Sequence, residues 1–205
     1  MAQYQFNRFK YGTHQIILSL LGRGKTILDV GCNSGYLGIH SKKNCFYGVE
    51  IDRKEAKKAE KAYKEIVVGD VEKLTNLFFS KRKFDLIIFA DILEHLVNPQ
   101  ETLTRFVNKF LKDDGKVIIS LPNIAHLSVR LNLLIGRFDY TEAGILDKTH
   151  LHLYSLKSAN KLINGSGLKV ESVFYSSNRF GWLIKKCHFL GTVLGFNLIF
   201  LCQKK

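Results

Sequence analysis

The chain is poor in proline: 2 in 205 residues, neither in a Ser- or Gly-rich tract. No linker, repeat or low-complexity segment is marked, so one domain spanning 1–205 is expected. Cysteine is scarce as well. The four (Cys32, Cys45, Cys187, Cys202) show no CxxC or zinc-ligand spacing. Cys45, Cys187 and Cys202 sit in apolar surroundings and read as small core residues, which makes a reduced, cytoplasmic compartment the expectation. Long hydrophobic runs are also missing. MAQYQFNRFKYG at the start has no signal-peptide stretch. The longest uncharged run, Cys187–Gln203, is broken by His188, Thr192 and Asn197 and is too short and polar to span a membrane. Peripheral membrane contact through Phe180–Leu194 stays open.

Acidic residues are few beside basic ones, 18 against 31, for a net charge of +13. Such a balance admits an anionic partner: RNA, an acidic membrane surface or a phosphate-bearing substrate. Much of the charge lies on one predicted helix, Asp52–Ile66, where Lys alternates with Glu as on a solvated face. The clusters at Lys81–Lys83, Lys185–Lys186 and Lys204–Lys205 are scattered and form no single stripe.

Short β-type runs alternate with helical patterns, which predicts an α/β fold with a mostly parallel sheet covered on both faces. Strands are predicted at Thr26–Val30, Cys45–Glu50, Ile66–Val68, Phe84–Phe89 and Lys116–Leu121. FDLIIF is nearly all apolar, as a central parallel strand should be. Helices are predicted at Phe9–Leu21, Tyr36–Lys43, Arg53–Lys64 and Pro99–Leu111, with a turn at Asp113–Gly115. Beyond Leu121 the pattern loosens. Helices are expected at Ile124–Ile135, Leu156–Asn164 (with Ser155 as N-cap) and Phe180–Leu194, an irregular loop at Gly136–Thr149, and strands at Leu168–Tyr175 and Phe196–Cys202.

The most informative string is TILDVGCNSGYLG, Thr26–Gly38. A strand ending in Asp29 turns through Gly31, Cys32, Asn33 and Gly35 into a helix starting near Tyr36, the place where open α/β sheets take nucleotide-like ligands. The spacing Gly31, Gly35, Gly38 is not the GxGxxG of NAD-binding folds, which makes an NAD-dependent oxidoreductase the weakest reading. The string resembles motif I of class I S-adenosylmethionine (SAM) methyltransferases, usually DxGxGxG. Asn33 replaces the middle glycine, and Asn tolerates positive φ.

Three further matches follow in order. GVEID resembles motif II, which implies that Glu50 holds the ribose hydroxyls and Ile51 packs on adenine, while Asp52 caps the next helix. VVGDVEKL implies adenine contacts at Asp70 and Val71, with a helix N-cap as the alternative for Asp70. FDLIIFADILEHLVNP resembles the motif IV region and sets Ala90 and Asp91 beside the methionine moiety. The resemblance implies that Asp29 orients the glycine loop near the cofactor's amino group. It also implies a Rossmann-like sheet of seven strands with the last antiparallel. Residues 26–121 form the cofactor-binding core on this reading, with SAM as cofactor and S-adenosylhomocysteine (SAH) as product.

Residues 122–155 read as a substrate-recognition insertion. Leu121–Leu156 resembles the segment that follows the motifs in type 11 and type 23 methyltransferase domains, a group that often travels with glycosyltransferases; DKTH (Asp147–His150) is its closing pattern. Methyl transfer to a hydroxyl needs a base, and histidine suits it near neutral pH. His150 is the first candidate, with a loop-pinning role as its alternative. His152, two residues on and on the same strand face, follows, then His126, which could face core or cleft. His95 reads as a pocket-shaping residue of the cofactor side. Tyr11, Asn123, Arg130, Arg137 and Tyr140 are substrate candidates, the arginines offering a fork for phosphate or carboxylate. Tyr4, Phe6 and Tyr11 are expected as a lid or as plain packing. The scattered Asp and His residues show no metal-ligand clustering.

The reading is a SAM-dependent methyltransferase acting on oxygen of a small molecule, sugar or glycan. The alternatives are an RNA methyltransferase, prompted by charge and opposed by the absence of an Asn/Asp-Pro-Pro-aromatic motif, and an inactive SAM-binding partner subunit.

Overall fold

The computed structural model describes residues 9–74, 79 and 82–205, so Tyr4, Phe6 and Lys81 lie outside the described residues. The elements run α1 Thr13–Leu20, β1 Thr26–Val30, α2 Tyr36–His40, β2 Cys45–Glu50, α3 Arg53–Ala59, β3 Glu65–Val68 and β4 Phe84–Ala90. They continue with α4 Pro99–Phe110, β5 Leu111–Pro122, α5 Leu127–Leu134, α6 Leu156–Gly165, β6 Leu168–Tyr175, α7 Gly181–Lys186, α8 Gly191–Leu194 and β7 Asn197–Lys204. One 3-10 turn, Leu93–His95, follows β4.

The strands form one sheet in the order β3-β2-β1-β4-β5-β7-β6. All pairs are parallel except those of β7, which is antiparallel to both β5 and β6. The seven-stranded, mostly parallel sheet with helices is therefore the class I methyltransferase arrangement that the motifs imply. The chain reverses direction across the sheet between β1 and β4, so the carboxyl ends of β1, β2, β3, β4 and β5 open one crevice at a topological switch point.

The central strands are buried on both faces. On one side Leu103, Phe106, Val107 and Phe110 of α4, at helical i, i+3, i+4, i+7 spacing, pack with Phe84 and Phe89 of β4. On the other, Ile17 of α1, Leu37 of α2, and Ala59 and Tyr63 cover Ile27 and Ile88. Cys202 is fully buried, but Cys45 and Cys187 are only half-buried, less than their apolar neighbours suggest.

Several bounds differ from the sequence expectation. The helix predicted to run to Lys64 stops at Ala59, because Tyr63 turns inward as a buried ring whose hydroxyl reaches Asp29. The turn predicted at Asp113–Gly115 is instead the irregular start of β5, with a register shift against β4 between Phe84 and Leu86. The helix expected from Ile124 begins only at Leu127: Asn123 takes the Ala125 amide, and the His126 ring accepts from Ser128 N. The segment Phe180–Leu194 is not one helix. It breaks into α7, a 3-10 turn and α8, with Gly191 packed against the Tyr175 ring, where a Cβ would lie 2.1 Å from that ring. Ser155 caps α6 through a reciprocal bond with Ser158, and Asp52 caps α3 through Lys54 N and Glu55 N.

No helix among the described residues is long and apolar enough to cross a membrane.

Candidate active site

The carboxyl edge of the sheet opens into a cleft of about 1600 Å³. That exceeds the usual range of roughly 300–1,000 Å³ for a single small-ligand site and leaves room for a cofactor and an acceptor together.

One half of the cleft is built from β1–β3. Gly31 has φ +76, and a Cβ there would fall 2.5 Å from Ile92 Cδ1, so only glycine fits the turn. Asn33 takes φ +47, the left-handed conformation expected of it. Glu50 ends β2, 8% exposed, and its two oxygens accept Asn33 N at 2.7 Å and Asp52 N at 2.9 Å. The carboxylate thus ties the glycine loop to the start of α3 and keeps lone pairs toward the cleft. Ile51 lines the cleft and is 64% exposed, an apolar surface open to a flat ring. Asp70 and Val71 form the next wall; Asp70 accepts Glu72 N and pairs with Lys73. Ala90 and Asp91 close this half at the switch point.

Asp91 holds φ +51, a strained conformation for a carboxylate residue. Its backbone N–H donates to Ser120 O, and its Oδ1 accepts from Ser120 Oγ and from Asn197 Nδ2 at 2.6 Å. β4, β5 and β7 are so pinned together at the cleft floor. Ser120 and Asn197 were invisible in the sequence, because β7 reaches this edge only through its antiparallel entry.

Four predicted cofactor residues do not line the cleft. Asp29 is buried beneath the loop, with its carboxylate on the Tyr63 hydroxyl at 2.5 Å. Burial, opposed by the Tyr63 bond and aided by Glu50, pushes its pKa up to about 7. Cys32 is buried and its thiol is pushed far up by desolvation. Gly35 caps α2 against Ala59. Tyr36 packs edge-on to His14. These residues shape the loop from below. His14 itself, with Thr13, reaches the cleft from α1, a contribution that sequence reasoning missed.

The other half of the cleft gathers histidines. His95, His126 and His150 all line it, joined by Phe180 and Phe196. The His95 and His150 rings meet edge-on, centroids 4.8 Å apart. His150 Nδ1 lies 3.0 Å from Ile145 O. A carbonyl can only accept, so Nδ1 carries the proton and Nε2 keeps its lone pair. His95 Nδ1 lies 3.2 Å from both Thr149 O and Thr149 Oγ1. The Thr149 hydroxyl proton is already given to Asp147 Oδ1 at 2.7 Å, so His95 also donates from Nδ1 and keeps Nε2 free of hydrogen. His126 is the reverse. Its Nδ1 accepts Ser128 N at 3.2 Å, which puts the hydrogen of the neutral ring on Nε2. Burial lowers the pKa of both His95 and His126.

Glu94 stands beside the pair. It is 1% exposed, neither carboxylate oxygen has a hydrogen-bond partner among the described residues, and burial with Asp91 nearby drives its pKa well above the carboxylate range. Its backbone carbonyl accepts Leu151 N at 2.8 Å and His152 N at 3.1 Å, which docks the DKTH turn onto the 3-10 turn. The signal for it was present as an acid between Leu93 and Leu96, both buried. Glu94 and His95 come together here with His150, which is distant in the sequence.

The remaining candidates fall elsewhere. His152 faces away, into a second groove between α4 and α6, and is not on a strand with His150. Asn123 is fully buried and structural; its Nδ2 donates to Thr192 O and Gly195 O. Arg130 is exposed and bonds Ala125 O at 2.6 Å. Arg137 and Tyr140 are exposed on the loop after α5, where Tyr140 packs on Phe138. Tyr11 packs under Gly181, away from the cleft.

A family model described as a methyltransferase domain matches residues 1–173. A protein of Methanocaldococcus jannaschii, itself uncharacterised, is 31% identical over 176 residues, covering 84% of this chain and 64% of its own length. A Glaesserella parasuis ubiquinone biosynthesis O-methyltransferase is 30% identical over 112 residues, covering 49% of this chain and 46% of its own. The chain thus spans less than two thirds of the length of these two curated relatives. Among solved structures, the magnesium protoporphyrin IX methyltransferase of Synechocystis with bound SAH superposes with a TM-score of 0.65 at 16% identity, covering 99% of this chain and 90% of that one. At that identity the likeness concerns the fold.

Proposed function

The chain belongs to the methyltransferase-domain family, and on that premise we propose that it transfers a methyl group from SAM to an oxygen of a small molecule, sugar or glycan. The observation that carries the oxygen assignment is the pair of Nε2 lone pairs on His95 and His150, in the half of the cleft beyond Asp91. The relative named as an O-methyltransferase points the same way.

SAM fits the first half of the cleft. Glu50 offers acceptor oxygens to a diol, Ile51 an open apolar face to adenine, and the Gly31 turn a backbone without a Cβ in the way. The cofactor supplies a methyl group on a positively charged sulfonium sulfur. The protein's part is alignment and removal of the acceptor's proton. As the acceptor O–H breaks and the new O–CH₃ bond forms, His150 Nε2 receives the proton in the metal-free protein. Its Nδ1–H bond to Ile145 O stabilises the imidazolium that results. His126 presents Nε2–H to the cleft and serves as a donor to the acceptor rather than as its base.

The test is transfer of labelled methyl from SAM into fractions of source-cell extract. Label in a low-mass or glycan fraction supports the reading. Label in nuclease-sensitive material, which the charge of +13 would favour, replaces it with RNA methylation. SAM binding with no labelled product in any fraction makes the chain an inactive partner subunit.

A further inference from the structure

Glu94, His95 and His150 bring one carboxylate oxygen and two ring nitrogens within 4.8 Å of one another at the cleft wall. We propose that this cluster is a binding site for a divalent transition cation, held by two imidazoles and one carboxylate with its remaining positions open to the cleft. The inference goes beyond the methyl-transfer reading and does not need it.

Three observations carry the proposal. The first is Glu94 itself. A buried carboxyl group with both oxygens unpartnered among the described residues is costly to keep, and a protein interior normally satisfies such a group. A cation against it would supply the missing partner. The second is the state of the imidazoles. A metal-ligating histidine typically donates its other ring N–H to a carbonyl or carboxylate, which fixes the tautomer and aims the lone pair. His150 does this through Ile145 O and His95 through Thr149 O. The third is that the cluster is held rigidly from two directions. Leu151 N and His152 N both donate to Glu94 O, and Thr149 is fixed by Asp147 Oδ1. The two sequence-distant halves of the cluster are therefore docked before any ion arrives.

The donor set decides the class of ion. Two imidazole nitrogens and one carboxylate suit Zn²⁺, Mn²⁺, Fe²⁺ or Co²⁺, whereas Mg²⁺ and Ca²⁺ prefer an all-oxygen set. A cation with open positions facing the cleft would lower the pKa of a bound acceptor hydroxyl, as metals do for bound water. In the loaded protein His150 Nε2 would hold the ion, and the acceptor's proton would leave to solvent.

The experiment titrates the full chain, carrying no histidine tag, with Co²⁺ and Zn²⁺ in the absence of SAM and acceptor. Co²⁺ uptake is read by its visible absorption and stoichiometry by calorimetry. One equivalent per chain is expected. Glu94→Gln, close in shape, and His150→Ala should each weaken Co²⁺ binding at least tenfold, while His40→Ala, on the exposed end of α2, should not. Circular dichroism and a cooperative thermal transition verify that each variant is folded. Zn²⁺ should also raise the melting temperature of the wild type and not of Glu94→Gln. Absence of a stoichiometric site in the folded wild type, or uptake undiminished in both cluster variants, overturns the proposal. Because neither SAM nor acceptor is present, failure of the methyl-transfer reading leaves this result intact.

Discussion

Tyr63 donates its hydroxyl to Asp29 at 2.5 Å, joining the end of β1 to the chain just past α3 beneath the glycine loop. The pair is buried, and the Asp29 pKa of about 7 means that the folded protein holds a proton there that the unfolded chain releases near pH 4. Between those two values the folded state binds more protons than the unfolded one. Stability should therefore be fullest below about pH 4 for this group and fall as pH rises to about 7. Asp29→Asn keeps an acceptor for Tyr63 and removes the ionisation. Urea midpoints measured at pH 5 and pH 8 should differ less in the variant than in the wild type. Equal differences would mean that Asp29 does not titrate in this window.

Glu50 is asked to do two things: hold the Asn33 amide and offer oxygens to the cofactor ribose. Glu50→Ala should lower SAM affinity by tenfold or more, about 1.4 kcal/mol. Glu50→Gln keeps one acceptor oxygen and should fall between variant and wild type. Calorimetry with SAM reads both. An unchanged affinity in Glu50→Ala would remove the residue from that role.

The cofactor half of the site was legible because its signals are local. TILDV and CFYGVE are apolar runs that end abruptly, and β1 and β2 have the bounds the sequence suggests. Gly31, Asn33 and Glu50 follow those ends directly and line the cleft. The acceptor half depends on contacts that no local pattern records. His150 faces the cleft because Glu94 O, more than fifty residues earlier, accepts the amides of Leu151 and His152. His152 turns outward for the same reason, which a strand-like alternation could not anticipate. Phe180–Leu194 reads as one helix from its apolar spacing, yet Cys187 leaves the helical conformation at φ −128, ψ 80 and ends α7, and Gly191 starts α8 packed against the Tyr175 ring.

Asn123 looked like a substrate contact and is a brace. Its Nδ2 donates to Thr192 O at 3.0 Å and Gly195 O at 2.9 Å, tying the end of β5 to the turn before β7. Asn123→Ala leaves two carbonyls without that donor in a buried place. The expected cost is about 1–3 kcal/mol of unfolding free energy, with SAM affinity retained in the folded protein. Chemical denaturation and calorimetry separate the two. A loss of SAM affinity without a loss of stability would return Asn123 to the binding site.

Two of the glycine loop's left-handed positions, Gly35 and Asn33, have opposite tolerance. At Gly35, φ is +77, and a Cβ would fall 2.8 Å from Ala59 Cβ and 2.9 Å from Ala59 Cα, a backbone atom that cannot step aside. Gly35→Ala therefore combines the left-handed penalty, about 1–2 kcal/mol, with a displacement of α2 from α3. Asn33 sits at φ +47, which glycine adopts freely, and its side-chain oxygen accepts from Ser34 N and Ser34 Oγ. Asn33→Gly, which restores the usual motif residue, should change stability by no more than about 0.5 kcal/mol and leave SAM affinity within about twofold, since the Glu50 bond is to the Asn33 backbone and survives the exchange. Gly35→Ala should lower both stability and affinity. If Asn33→Gly proved as damaging as Gly35→Ala, the Asn33 side chain itself would have to touch the cofactor, and the loop would be reading its ligand through a residue that the family's usual glycine cannot provide.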